Sequence, residues 1–249
     1  MVQPEPSLLA AVVCVLILAA VAVTVLAATR VRTPWVAAAA VLRGGVQLAA
    51  LSLILSGVIT SPVWTAVGIA IMFVAAAITS TRRIGWSGVL FARVAAAMAV
   101  GVATSVLVVF ASGAVPLTPR YALALCGIVI GNAMTITSLT GGILLRSIAD
   151  RWSEVEGWLA LGARPGEATL PLARDAVFRA LTPSIDQTKT TGLVVLPGAF
   201  VGAIFGGLSP LEAGTFQLIV LAAILASGTL ESVILAWGVR RLSARPDVT

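Results

Sequence analysis

The chain has 249 residues, 59% of them hydrophobic and 10% charged, with a formal net charge of +6 and no histidine. Soluble domains carry roughly 45–50% apolar and about 25% charged residues, so a soluble enzyme and a disordered chain are both excluded. Without histidine there is no imidazole proton shuttle, His-ligated zinc or haem, and Cys14 and Cys126 stand alone in apolar runs, as small buried hydrophobes rather than a disulfide or metal pair.

The apolar runs reach ~20 residues, the length that crosses a ~30 Å hydrocarbon core. They predict an all-α polytopic membrane protein, a single transmembrane domain over residues 1–249. Seven spans are expected: Leu8–Ala28, Trp35–Ile59, Pro62–Ser80, Ala92–Ser112, Tyr121–Leu145, Thr191–Leu208 and Leu211–Trp237. No Lys or Arg precedes the first run, so it lacks the basic leader of a signal peptide and is expected to be retained. Arg30 and Arg32 follow span one, Arg82, Arg83 and Arg93 lie between spans three and four, and Arg240, Arg241 and Arg245 follow span seven. The alternate connections at Ser61, Gly113–Pro119 and Ser209–Pro210 carry no basic residue, and Arg120 sits at their edge. The positive-inside rule then places the N-terminus outside and the C-terminus in the cytoplasm of a cell-membrane protein. The basic residues therefore report orientation, and no nucleic-acid partner is expected.

Within span two, Arg43 and Gln47 share a helix face. Glu231 lies at similar depth in span seven, with opposite sign, which suggests an Arg43–Glu231 ion pair. Such a pair either locks two helices together or takes part in gating. Span five carries Asn132, Thr135, Thr137, Ser138 and Thr140, as interhelical hydrogen-bond glue or as the lining of a wet cavity. Between spans five and six, Arg146 to Lys189 is polar, with six basic and six acidic side chains. Ser153 and Glu156 have capping-box spacing, Gly162 and Pro165 supply a helix stop, and a second amphipathic helix is expected from about Gly166 to Leu181, ended by Thr182 and Pro183. This cytoplasmic segment reads as a docking element or as a cuff on the membrane surface. Span six is interrupted at Leu196, Pro197 and Gly198, and Gly198, Gly202 and Gly206 form a ridge. The ridge supports tight packing, or the interruption marks a broken helix beside a translocation path.

No P-loop, nucleophile elbow or HExxH is present, so the chain is expected not to be an enzyme. The run from Glu154 to Pro165, with Glu156 and Gly162 six apart, resembles the EAA-type signature of ABC permeases. The run Leu-Thr-Pro-Ser-Ile-Asp-Gln-Thr-Lys-Thr-Thr-Gly-Leu-Val-Val-Leu-Pro-Gly from Leu181 to Gly198 is more specific. Together with Gly131, Asn132 and Met134, and with Leu42, Arg43, Gly44, Gln47 and Leu48, it resembles the Fet-type permease family. That family comprises bacterial iron-export ABC permeases and related plant aluminium-sensitivity permeases.

The resemblance implies the membrane subunit of an ABC exporter of iron or another metal ion, working as a permease homodimer in the lipid bilayer. It would have no cofactor of its own; ATP and Mg would be bound by a separate cytoplasmic ATPase subunit. The helix with Glu154, Glu156, Gly162, Ala163 and Arg164 would couple to that ATPase. Arg43, Gln47, Asn132, Thr135, Pro197, Gly198, Gly202 and Glu231 would serve the translocation path or its gating. No metal ligands are assigned. The family's Met-Met-Thr-Gly-Gln-Ile after Leu-Pro-Gly is replaced by Ala199 to Ile204, and its Asp-Gln-Met-Lys by a run with Thr188, which removes thioether and amide groups that suit metals. The plant relatives' link to a nucleotide sugar keeps a non-metal solute open. A secondary transporter should show inverted repeats, which the sequence lacks. A membrane scaffold would give Arg43, Asn132 and Glu231 no reason to be buried.

Overall fold

The computed structural model describes residues 8–58, 61–242 and 244–246, with 53–58 described by their backbone alone. The residues ahead of Leu8, on which the expectation of a retained first span rests, lie outside this set, as does Ile59 at the end of the second expected span. Among the described residues the structure is helical apart from loops and one isolated bridge between Thr191 and Val195. Six helices are long and apolar enough to cross a membrane. The protein is a polytopic all-α membrane protein.

Two compact units divide the chain after Val58. In the first, α1 (Leu8–Ala28) and α2 (Trp35–Val58) pack on each other as a hairpin. The second unit holds α3 (Pro62–Ile84), α4 (Gly88–Ala111), α5 (Pro119–Asp150), α6 (Trp152–Ala160), α7 (Pro165–Ala168), α8 (Leu170–Thr190), α9 (Gly198–Phe205) and α10 (Pro210–Val239). Its core is built on α5, with Met98, Leu125, Ile136, Leu144, Ile148 and Leu235 fully buried. Small residues let the backbones approach, as is usual where lipid offers helices no hydrophobic drive to associate.

Side-chain contacts give the direction of each helix. The Ser138 hydroxyl of α5 donates to Ser80 of α3 at 3.2 Å, and Ile84 of α3 covers Gly141 of α5, so these two helices run parallel. Tyr121 of α5 stacks near Phe216 of α10 at 5.7 Å, and Ile136 covers Gly228, so α5 and α10 are parallel too. In α4 the order reverses: Arg93 lies by Gly238 and Gly101 by Ser227 of α10.

The stretch read as a sixth span is the main departure. Residues 191–197 are not helical, and α9 has eight residues, about 12 Å of helix, too short for a ~30 Å core. The polar stretch before it does not form two helices standing off the bundle. Its second half is α8, which runs through Pro183 without ending and packs lengthwise on α5 and α10. An interior proline costs about 3 kcal/mol; the buried seam of Leu172, Ala173, Ala176, Ala180, Leu181 and Ser184 offsets it.

Candidate functional site

At the end of the unit that holds Arg240, α5 passes directly into α6. The Arg151 N–H donates to the Ser147 carbonyl at 3.1 Å, and Arg151 is the cap of α6. The box expected from Ser153 and Glu156 is therefore not formed, because the helix starts two residues too early for Ser153 to cap it. Glu154 instead takes the Arg151 guanidinium at 2.8 Å. The stop at Gly162 is as the spacing predicts: φ is +91°, and Gly162 and Ala163 donate to the carbonyls of Leu159 and Trp158 at 3.0 Å each. Val155, 1% exposed, anchors α6, while Glu156, Trp158 (52%) and Leu161 (82%) face outward.

Beyond α6 the chain is fastened to α10. The Arg164 N–H donates to the Glu167 carboxylate at 2.9 Å. Thr169 donates its hydroxyl to the Arg240 carbonyl at 2.6 Å, and the Arg240 guanidinium donates to the Gly166 carbonyl at 2.6 Å. The same guanidinium lies 5.0 Å over the Trp237 ring. Substituting Gly162→Ala tests this local definition. The space around it is open, so the cost is purely the left-handed backbone, about 1–2 kcal/mol. A lower unfolding temperature in detergent, with faster proteolysis at Arg164, is the expected result; an unchanged rate there would mean that the stop is dispensable.

From this platform α8 climbs alongside α10 in the opposite direction. Thr169 meets Arg240; twelve residues on, Leu181 meets Gly228, which is twelve residues back along α10. Thr188 and Thr191 reach the level of Gln217 and Leu221, where a cavity of about 350 Å³ is also lined by Pro197 and Phe200. Since α10 is one of the membrane-crossing helices, the second half of α8 lies at bilayer depth.

The other face of α8 is not apolar. Arg174, Arg179, Asp186, Gln187 and Lys189 are exposed along it, with Phe178 (66%) among them. Two ion pairs form within the face, Arg179 to Asp175 at 2.9 Å and Lys189 to Asp186 at 3.4 Å. A charged side chain at the bilayer centre costs about 2.5–3.5 kcal/mol even on insertion scales. Past Thr190 the break places non-helical backbone at the same depth, with Leu193 89% and Val194 80% exposed. Pro197 caps α9, whose Gly202 and Gly206 border Ala124 and Ile128 of α5.

Within the second unit the expected path residues divide between the break, the outer side of α5 and the seam of α4 with α10. Pro197, Gly198 and Gly202 lie at the break. Asn132 and Thr135 share one side of α5 but spend their side-chain donors on the carbonyls of Ile128 and Gly131, at 2.9 and 3.2 Å. Glu231 is fully buried against Gly101 of α4, with neither carboxyl oxygen hydrogen-bonded among the described residues. Arg43 and Gln47 are exposed on α2 of the other unit. Asp186, Gln187 and Lys189 belong to the run from Leu181 to Gly198 that carries the family resemblance, and the structure sets them on the exposed face of α8. The signal was present in the alternation of Arg179, Asp186 and Lys189 with an alanine-rich seam at helical spacing.

The family model described as "Uncharacterised protein family (UPF0014)" matches residues 9–243. The chain belongs to the UPF0014 family. It is 32% identical over 199 residues to the UPF0014 membrane protein YjkA of Bacillus subtilis, covering 79% of this chain and 80% of that one. It is 33% identical over 138 residues to the "Probable iron export permease protein FetB" of Escherichia coli, covering 55% and 53%. Over 118 residues it is 43% identical to the "Protein ALUMINUM SENSITIVE 3" of Arabidopsis thaliana, covering 47% and 43%. The chain spans about half the length of the plant and Escherichia coli relatives that it matches. No solved structure matches this UPF0014 chain.

Proposed function

We propose that the chain is the membrane subunit of an ABC exporter, driven by a separate ATPase subunit that binds ATP and Mg and docks on α6. The observation that carries this reading is the form of α6. It is a short, well-ended helix, rooted by Val155 and tied through Thr169 and Arg240 to α10, with Glu156, Trp158 and Leu161 turned outward. A lever of this kind passes motion from a docked partner to the bundle only if both of its joints are firm. Arg93, Arg164, Arg240 and Arg241 lie together at this end and Arg120 is at the start of α5, which supports a cytoplasmic platform and C-terminus in the inner membrane, while Arg30 and Arg32 after α1 support an outer N-terminus.

The cargo is iron or another metal ion, on the strength of the Escherichia coli relative's name, and the working unit is a permease homodimer. The test is co-purification with a candidate ABC ATPase subunit from the same genome, followed by ATP hydrolysis in lipid vesicles with iron or another divalent metal added. Metal-stimulated hydrolysis supports the reading. Stimulation by another solute and by no metal overturns the cargo and keeps the exporter; failure to form the complex overturns the exporter.

A further inference from the structure

Where α7 begins and α10 ends, three guanidinium groups converge without a counter-charge. Arg164, Arg240 and Arg241, with Pro165, Gly166 and Glu167, line a cavity of about 490 Å³, within the size range of small-ligand sites. Gly166 lets the two segments approach, since a Cβ there would lie 3.7 Å from Arg241 Cγ and 3.8 Å from Arg240 Cζ. Arg240 is held in place: its guanidinium donates to the Gly166 carbonyl at 2.6 Å and rests 5.0 Å over the Trp237 ring. Its Nε is nevertheless buried with no hydrogen-bond partner among the described residues. None of the three arginines forms an ion pair among the described residues. The one carboxylate that lines the cavity, that of Glu167, accepts the Arg164 backbone N–H at 2.9 Å. Arg93 brings a further positive charge nearby, with its Cδ 3.9 Å from where a Cβ on Gly238 would stand.

Orientation in the membrane asks for basic residues on one side; it does not ask that they share a cavity. Like charges held this close repel one another, and a bound anion removes that cost. The flat guanidinium fork matches the oxygens of a phosphate group. The level of the cavity points to the source of that group. Arg240 caps α10, a membrane-crossing helix, with Trp237 less than one turn further in, and aromatic and basic side chains at the end of a spanning helix stand at headgroup level. Basic pockets between helices at this level take anionic head groups. We infer that this cavity is a site for the phosphate of an anionic phospholipid, gripped between Arg164 ahead of α7 and Arg240 and Arg241 at the end of α10. Bound there, the phosphate bridges the two segments that Thr169 and Arg240 already tie together and stiffens the joint behind α6. The leaflet that supplies the lipid follows from the orientation proposed above; the site itself does not depend on it.

The test is native mass spectrometry of the full chain in detergent, with phosphatidylglycerol, phosphatidylcholine or inorganic phosphate added as the probe. Phosphatidylglycerol is expected to stay bound, one per chain, at least tenfold more than phosphatidylcholine. Arg164→Gln combined with Arg241→Gln is expected to abolish this preference. Arg82→Gln combined with Arg83→Gln, which removes two exposed charges in the last turn of α3, is expected to keep it. Equal retention of the two lipids by the parent chain overturns the site, and that comparison needs no variant to fold. A preference unchanged in the Arg164→Gln, Arg241→Gln chain, or lost equally in both pairs, overturns it as well. Displacement of phosphatidylglycerol by an equal concentration of inorganic phosphate would assign the cavity to a free phosphate and overturn the lipid. Absence of bound lipid, with loss of the ATPase complex in the Arg164→Gln, Arg241→Gln chain, would assign the arginines to an acidic partner surface instead. The lipid readouts use neither ATP nor the partner, so the inference fails separately from the exporter.

Discussion

Gly101→Ala is expected to lower the unfolding temperature of the detergent-solubilised protein sharply and to unseat α10 from α4. A Cβ at Gly101 would fall 2.7 Å from the Ser227 carbonyl oxygen, 3.1 Å from its hydroxyl and 3.3 Å from the Glu231 Cβ. The nearest of these atoms is backbone in a long helix and cannot swing aside, so the helices themselves must separate. Overpacking of this kind costs about 1–3 kcal/mol, occasionally more, and here it would also open Glu231 to its surroundings. A matched control is Gly141→Ala, where the added carbon meets Ile84 Cδ1 at 2.5 Å. Ile84 Cγ1 and Cγ2 lie at 2.8 and 3.0 Å as well, so the whole side chain must shift, but it is side chain and not backbone that gives way, and a smaller loss is expected. Equal losses at Gly101→Ala and Gly141→Ala would show that backbone approach is not what holds α4 to α10.

The second large effect is expected on assembly. Trp158→Ala and Leu161→Asp on α6 should weaken association with the ATPase by about 30-fold or more each, the scale of an interface hot spot. Glu156→Lys should do so by reversing the charge presented beside them. Trp158 and Leu161 are more than half exposed, so helix content and unfolding temperature should stay near those of the parent. Complex formation measured by co-purification, at matched expression, decides the point. Unchanged recovery of the complex in all three variants would remove α6 as the docking element.

Much of the bundle was readable from apolar runs. The expected spans at Leu8–Ala28, Pro62–Ser80, Ala92–Ser112 and Tyr121–Leu145 fall within or close to α1, α3, α4 and α5, because a lipid-facing helix must be apolar over most of its circumference. The helix stop at Gly162 was equally local, since a left-handed residue after a helix needs only its own backbone and the preceding carbonyls. The start of α6 was not, because Arg151 inherits its position from α5, and so the Ser153 cap gave way to continuity with the helix before it.

Composition, by itself, determined that this chain lives in a membrane, and the missing histidine leaves it no imidazole side chain to shuttle protons or ligate a metal. The positions of Arg30, Arg82 and Arg240 further set an expected orientation. Only the tertiary structure decided which segment runs back through the bundle between α5 and α10. A hydropathy reading selects Thr191–Leu208 because it is apolar, whereas the chain packs Leu170–Thr190 along α5 and α10 through an alanine seam, with its charged side turned away from the core. Apolarity measures the cost of facing acyl chains. A helix with protein on one side and polar surroundings on the other is not subject to that cost, and its place is set by packing alone.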